Sequence, residues 1–292
     1  MIVTKLAPIR VAGVVAGLLI AATGIAGAHD FWLVPDAFAV TPGGRVTVRG
    51  QTSSVFPTTL SAVTPDRIIA ARVLTATADV RVSEVGVRGT SLVLGHRPAS
   101  RGQHVIGVQL APRMVRETPA SFRHYLDIEG APEARLRYER EGLLPPLGGD
   151  SITRRYAKYG KSFVEVGKGA RAFERTLGNP LEFIPLADPS RLRTGDTLRL
   201  RLMLLGRPAI GARIHAGSIA AGPRMRTDTA AARRAMARDF SLETDSAGVV
   251  AVVVGRAGTW NVRTIQIVPA LKGSGADWDV HWSTIVFPVS RR

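Results

Sequence analysis

The chain of 292 residues contains no cysteine, which excludes a disulfide framework, a lipid-anchor cysteine and a cysteine nucleophile. It lacks a Gly-x-Ser-x-Gly elbow, a phosphate-binding P-loop and the paired histidines of zinc peptidases, so no common catalytic motif is present. Aromatic residues make up only 6% of the chain and its basic residues are dispersed along it, which argues against nucleic-acid binding, where stacking rings interleave with a gathered basic face. Long apolar runs are also missing. The longest, Val11 to about Ala22, is too short and too rich in Gly and Ala to span a bilayer.

That run does fit an export signal. Lys5 and Arg10 give the positive start, and Ala26-Gly27-Ala28 gives the small residues of a cleavage site. Residues 1–28 therefore read as a signal peptide, and the mature product is expected to be soluble in the periplasm or outside the cell. Two of the 16 surplus positive charges lie in this leader, which leaves 14 on the mature chain. Such a protein is attracted to anionic envelope surfaces at low salt. The densest basic stretch, Arg154-Arg155 with Lys158, Lys161 and Lys168, is read as a solvated face.

The body of the chain alternates short apolar and polar runs between turn residues. Examples are Phe31 to Val34, Ile68 to Leu74 and His104 to Leu110, with Pro42-Gly43-Gly44 as a turn. This rhythm predicts a mainly β fold of two β-sandwich, immunoglobulin-like domains, at 29–187 and 188–292. Within the first, Phe122, Tyr125, Leu126 and Glu129 fall at helical spacing, so a helical insertion is predicted over about 118–142. In the second, Thr197 to Leu204 and Phe240 to Glu243 read as strands.

The chemistry concentrates where the leader ends. Cutting after Ala28 puts His29 first, so that its free amine and ring Nδ1 can close one chelate ring around a metal ion; a second imidazole would complete a three-nitrogen brace suited to Cu(II) or Ni(II). Cutting after Ala26 instead leaves Gly27-Ala28-His29, where amine, two backbone amides and the ring can bind in a square plane. For the further metal ligand the candidates are His281 and His104. His281 shares one face of a predicted strand with Asp277 and Asp279, while Trp278 and Trp282 take the other, and Asp279 could orient its ring. His104 opens a first-domain strand. His96, His124 and His215 have no histidine neighbour at metal-ligand spacing. No catalytic or cofactor-binding residue stands out.

Beyond these features, Ala28-His29-Asp30-Phe31-Trp32-Leu33, Phe122-x-x-Tyr125-Leu126-x-x-Glu129-Gly130, Arg155-Tyr156-x-Lys158-x-x-Lys161, Pro180-Leu181-Glu182-x-x-Pro185 and Thr244-Asp245-x-x-Gly248 with Gly258-Thr259-Trp260 resemble a bacterial exported family of unknown function. That family is often described as the periplasmic component of cobalt or nickel uptake systems. The resemblance implies β-sandwich domains and a part in handling Ni, Co or Cu, with a membrane uptake transporter as partner, and carries over His29 as a ligand. The expected function is therefore binding of a transition metal for uptake or buffering. A histidine-brace copper oxygenase acting on polysaccharide is the enzymatic alternative, and a metal-free envelope adhesion or structural module is the third.

Overall fold

The computed structural model describes residues 29–129, 131–220 and 229–292. The predicted signal peptide lies outside the described residues. The first half carries β1 (Asp30–Pro35), β2 (Ala39–Val40), β3 (Val46–Ser53), β4 (Ile68–Leu74), β5 (Asp79–Arg81), β6 (Glu84–Arg88), β7 (Ser91–His96), β8 (Gly102–Leu110) and β9 (Arg113–Glu117). Two helices follow, α1 (Pro119–Ile128) and α2 (Pro132–Arg140), and then the long β10 (Ile152–Val166). The remainder is β11 (Leu181–Pro185), β12 (Thr197–Leu204), β13 (Arg207–Pro208), β14 (Arg213–Ile219), α3 (Thr229–Met236), β15 (Phe240–Glu243), β16 (Val249–Val253), β17 (Gly258–Pro269) and β18 (Trp278–Val289).

The fold is mainly β, as the alternation predicts. Three sheets form: a four-stranded sheet β1-β3-β7-β6, a second of β11, β12, β13 and β16, and a ten-stranded sheet ordered β15-β14-β17-β18-β10-β8-β4-β5, with β2 and β9 also on β10. Side chains on a strand alternate between faces, so neighbours on β10 serve different cores. Val164 and Val166 pack with Phe31, Leu33, Val48 and Leu94 of the first sheet. Phe163, one residue away, packs with Phe183, Leu200 and Val252 of the other. The two small sheets thus cover opposite faces of the large one, and the result is two sandwiches built on a shared layer.

That shared layer is built from strands on both sides of the expected boundary at 187/188. β10, from the first predicted unit, pairs in parallel with β18, from the second, over nine residues from Arg154↔Trp278 to Ser162↔Val286. The two units therefore have separate outer sheets and a common inner one. Alternation reports which residues of a strand face inward; it carries no information on which strand lies beside it.

The helical insertion forms as predicted. Thr118 caps α1 by accepting from the Ser121 amide at 3.2 Å, and Pro119 occupies the first turn, where its missing N–H costs nothing. Phe122, Tyr125 and Leu126 bury one stripe of α1 against Trp278, Val280 and Trp282 of β18. The helices thus cover the same face of the central sheet as β1, beside it. Between the two coverings runs a seam, and its floor is the middle of β10. Among the described residues no helix is long and apolar enough to cross a membrane.

Candidate functional site

β1 approaches the central sheet closely because Gly160 on β10 has no side chain. A Cβ there would stand 2.8 Å from Leu33 Cγ and 3.3 Å from Phe31 Cδ1, tighter than packed carbons tolerate. Every residue of β1 is buried, and Phe31, Trp32 and Leu33 are at most 1% exposed; burial stabilises each by roughly 1.5–3 kcal/mol. Thr284 adds a hydrogen bond, its hydroxyl donating to Phe31 O at 2.6 Å. These contacts fix the head of the strand at the seam, where His29 is half-buried and Asp30 is buried.

Around that head lies a charged cluster. Lys158, 7% exposed on β10, donates from Nζ to the backbone carbonyl of His29. Asp30 pairs with Arg263 of β17 at 3.2 Å, and Arg263 in turn binds Asp239 at 2.9 Å. Burial first, and Lys158 second, hold the His29 imidazole below its ordinary pKa, so at neutral pH the ring is uncharged and has a free lone pair. Burial brings Lys158 down to about 8, against the pull of Asp30 and Glu129. Glu129, at the end of α1, rises to about 7 through burial and then through repulsion by Asp30.

Two cavities open on either side. One, of about 210 Å³, is lined by Asp30, Glu129, His215, Arg263 and Trp282. His215 meets Ser241 Oγ at 3.0 Å, and burial followed by the fields of Arg263 and Arg213 lowers it to about 4. The other, of about 290 Å³, is lined by His29, Arg67, Arg113 and Lys158 together with hydroxyl residues. Carboxylates border the first cavity. None lines the second among the described residues.

The other sequence-predicted ligands are not brought to His29. His281 lies opposite Ala157 on the reverse face of the central sheet from Lys158 and Trp282. Its Nδ1 is 3.1 Å from the Tyr159 hydroxyl, and Asp279, expected to orient it, instead binds Arg155 at 2.7 and 2.9 Å. His104 pairs with Val164, six residues along β10 from Lys158, which at about 3.3 Å per residue places it about 20 Å away. Its Nε2 donates to Ser100 O at 3.0 Å.

His104 does have a histidine neighbour, which linear spacing concealed. The turn between β7 and β8 crosses from one sheet to another and brings the rings of His96 and His104 to 5.5 Å between centroids. Both are buried, and burial lowers the pKa of each. His124 is exposed on α1.

The basic stretch expected to be solvated is instead largely interior. Arg154, Lys158 and Lys161 are 4%, 7% and 3% exposed. Arg154 binds Glu117 at 2.7 Å beneath the Tyr125 ring, and Lys161 binds Glu182 and, at 2.9 Å, Phe183 O. Each buried cation has its own acceptor, which is what makes its burial tolerable. Lys168 alone of the five is exposed in the expected way.

Among the described residues, no three His, Asp or Glu side chains gather closely enough to hold a metal ion by themselves.

Comparison with solved structures finds similarity to the D0-D1 domain of Intimin, at 8% identity and a TM-score of 0.23, covering 88% of this chain and 97% of that one. The Yersinia pseudotuberculosis adhesin InvE is similar at 13% identity and a TM-score of 0.21, over 90% of this chain and 61% of that one. The mouse nectin-like molecule 4 ectodomain is similar at 12% identity and a TM-score of 0.20, over 90% and 65%. No curated protein matches. A family model matches residues 26–267, a span that runs from before the head of β1 into β17 and stops short of β18, and the chain belongs to that family, the domain of unknown function DUF4198.

Proposed function

We propose that the exported chain binds a divalent transition-metal ion, Ni(II), Co(II) or Cu(II), at His29 and holds it in the periplasm for uptake or buffering. The observation that carries this reading is the setting of His29: a half-buried, uncharged imidazole at the head of a wholly buried strand, its backbone carbonyl held by Lys158. A ring that is neutral at physiological pH coordinates without first releasing a proton. Removal of residues 1–28 would add the amine of His29, and a cut two residues earlier would add backbone nitrogens instead. The bound ion would supply the cargo, and the protein supplies placement. Resemblance to the periplasmic component of cobalt and nickel uptake systems supports the same reading and makes a membrane transporter the recipient.

The oxygenase alternative needs an aromatic platform on the surface. Trp32, Trp278 and Trp282 are 0%, 4% and 5% exposed, and so belong to cores. That geometry favours binding over oxidation of a polysaccharide.

Isothermal titration of Ni(II), Co(II) and Cu(II) into the mature protein and into His29→Ala tests the reading, with intact mass fixing the terminus. The expected outcome is a loss of at least tenfold in affinity for the variant. Equal affinity in the two proteins overturns it.

A further inference from the structure

The cavity of about 290 Å³ beside His29 has a composition that does not suit a bare cation. Lys158 forms its inner wall, buried, and Arg113 stands exposed at its edge. Arg67 lies between, half-buried, with one terminal nitrogen donating to Ala111 O at 2.9 Å and its Nε buried without a partner. Thr52, also on the lining, has a buried hydroxyl with no partner. Three cations and an unmatched hydroxyl thus converge on one water-sized-to-metabolite-sized space with no carboxylate in its wall among the described residues.

Asp30 and Glu129 border the neighbouring cavity and act on Lys158, and Asp66, beside Arg67 in the chain, acts on that guanidinium without lining this space. An isolated dication at His29 would face the cations directly, and like charges near a surface repel by several kcal/mol at about 4 Å. The repulsion vanishes if the ion arrives with its own negative ligands. The same ligands would fill the coordination positions that one histidine leaves open, since no group of three protein donors gathers there among the described residues. Guanidinium forks match carboxylate oxygens in shape as well as charge.

We infer that the cavity formed by Arg67, Arg113 and Lys158 binds a small polycarboxylate anion, and that the protein accepts its metal as an anionic polycarboxylate chelate anchored at His29. This inference deepens the metal-binding reading and rests on it for the chelate. The anion pocket itself stands on its own residues.

The test is calorimetry on the mature protein at physiological salt with four titrants: citrate alone, inorganic phosphate alone, Ni(II) alone and Ni(II)–citrate. The expected result is that citrate alone binds, phosphate binds at least tenfold more weakly, and Ni(II)–citrate binds at least tenfold more tightly than Ni(II). Arg113→Gln, at an exposed position, should weaken citrate and Ni(II)–citrate about tenfold and, by removing a like charge, leave Ni(II) alone bound at least as tightly as in the parent. Arg67→Gln should do the same, with thermal melting confirming a folded protein. His29→Ala should abolish binding of Ni(II) and leave citrate alone unaffected. If His29→Ala spares Ni(II), the metal reading fails while the anion pocket survives. If citrate does not bind, if phosphate binds as tightly, or if both arginine variants bind the chelate normally, the inference is overturned whatever His29 does.

Discussion

Lys158 donates to the backbone carbonyl of His29 across the seam between β10 and the head of β1. This contact places an ammonium beside two cavities of different character, one bordered by Asp30, Glu129 and Arg263 and the other by Arg67 and Arg113 with no carboxylate among the described residues. The same side chain therefore anchors the proposed ligand's backbone and sets the field in which its ring titrates.

Replacing it separates those two effects. In Lys158→Met the Coulombic depression of the His29 ring disappears and the desolvation remains, so the ring pKa should rise part of the way toward about 6.5. An NMR titration of the histidine ring protons reads this directly. An unchanged or lower value would mean that Lys158 does not act on the ring.

Glu129 gives the seam a pH dependence with a definite sign. Its folded pKa of about 7 is above the ordinary value, so the native state holds a proton that the unfolded chain releases. The stabilisation is full at acid pH below the unfolded pKa and is lost as pH rises through about 7, with Asp30, Lys158 and Arg154 as the charges facing the group. Glu129→Gln should flatten the stability profile from about pH 4.5 to 7 and melt higher than the parent at pH 8. A profile in that window with the parent's slope would refute the assignment.

Gly160 is the test of how β1 reaches the central sheet. Gly160→Ala forces a methyl against Leu33 and Phe31 and should cost about 1–3 kcal/mol in denaturant unfolding. Adding Leu33→Ala opens the space, so the double variant should lose less than the sum of the two singles. Strict additivity would show that the clash is not what the glycine avoids.

The Lys161–Glu182 pair is buried on both sides, and Glu182 also accepts from the amides of Leu177, Gly178 and Asn179 at 2.7, 2.9 and 3.2 Å. Glu182→Gln leaves an ammonium without its counter-charge and should destabilise by about 3 kcal/mol at pH 7. Burial already holds Lys161 below its ordinary pKa. Losing the acid lowers it further, so the deficit should shrink as pH rises toward 10 and the native amine sheds its proton. A deficit independent of pH would place the cost in the amide contacts alone.

Much of the architecture was legible in the sequence for a physical reason. Thr197–Leu204 and Phe240–Glu243 alternate, Ile68–Leu74 is a short, mainly apolar run, and all three form strands with the expected bounds. The first ten residues of β10 escaped because Arg154, Arg155, Lys158 and Lys161 look like a wet surface until their partners are known. Those partners, Glu117, Asp279, the His29 carbonyl and Glu182, are remote along the chain. His29 was visible because its cue is local, the small residues Ala26-Gly27-Ala28 of an expected cleavage site beside it. Arg67, Arg113 and Glu129 were not, since only the folded seam brings them near it. In the fold the Lys158 ammonium lies 5.6 Å from the centre of the Tyr156 ring and 5.5 Å from that of Trp282, and of the two only Tyr156 stands near it in the sequence.

The parallel pairing of β10 with β18 joins residues 124 positions apart, as in Arg155 with Asp279, at the centre of the largest sheet. Until the last strand emerges, the inner layer has a gap in its middle and neither sandwich can close. Contacts this distant slow folding, because a long loop must be closed before they form. Under the proposed export, a chain threaded unfolded through a translocation pore would gain from that delay: completion waits on β18, and premature folding behind the pore would be suppressed by topology itself.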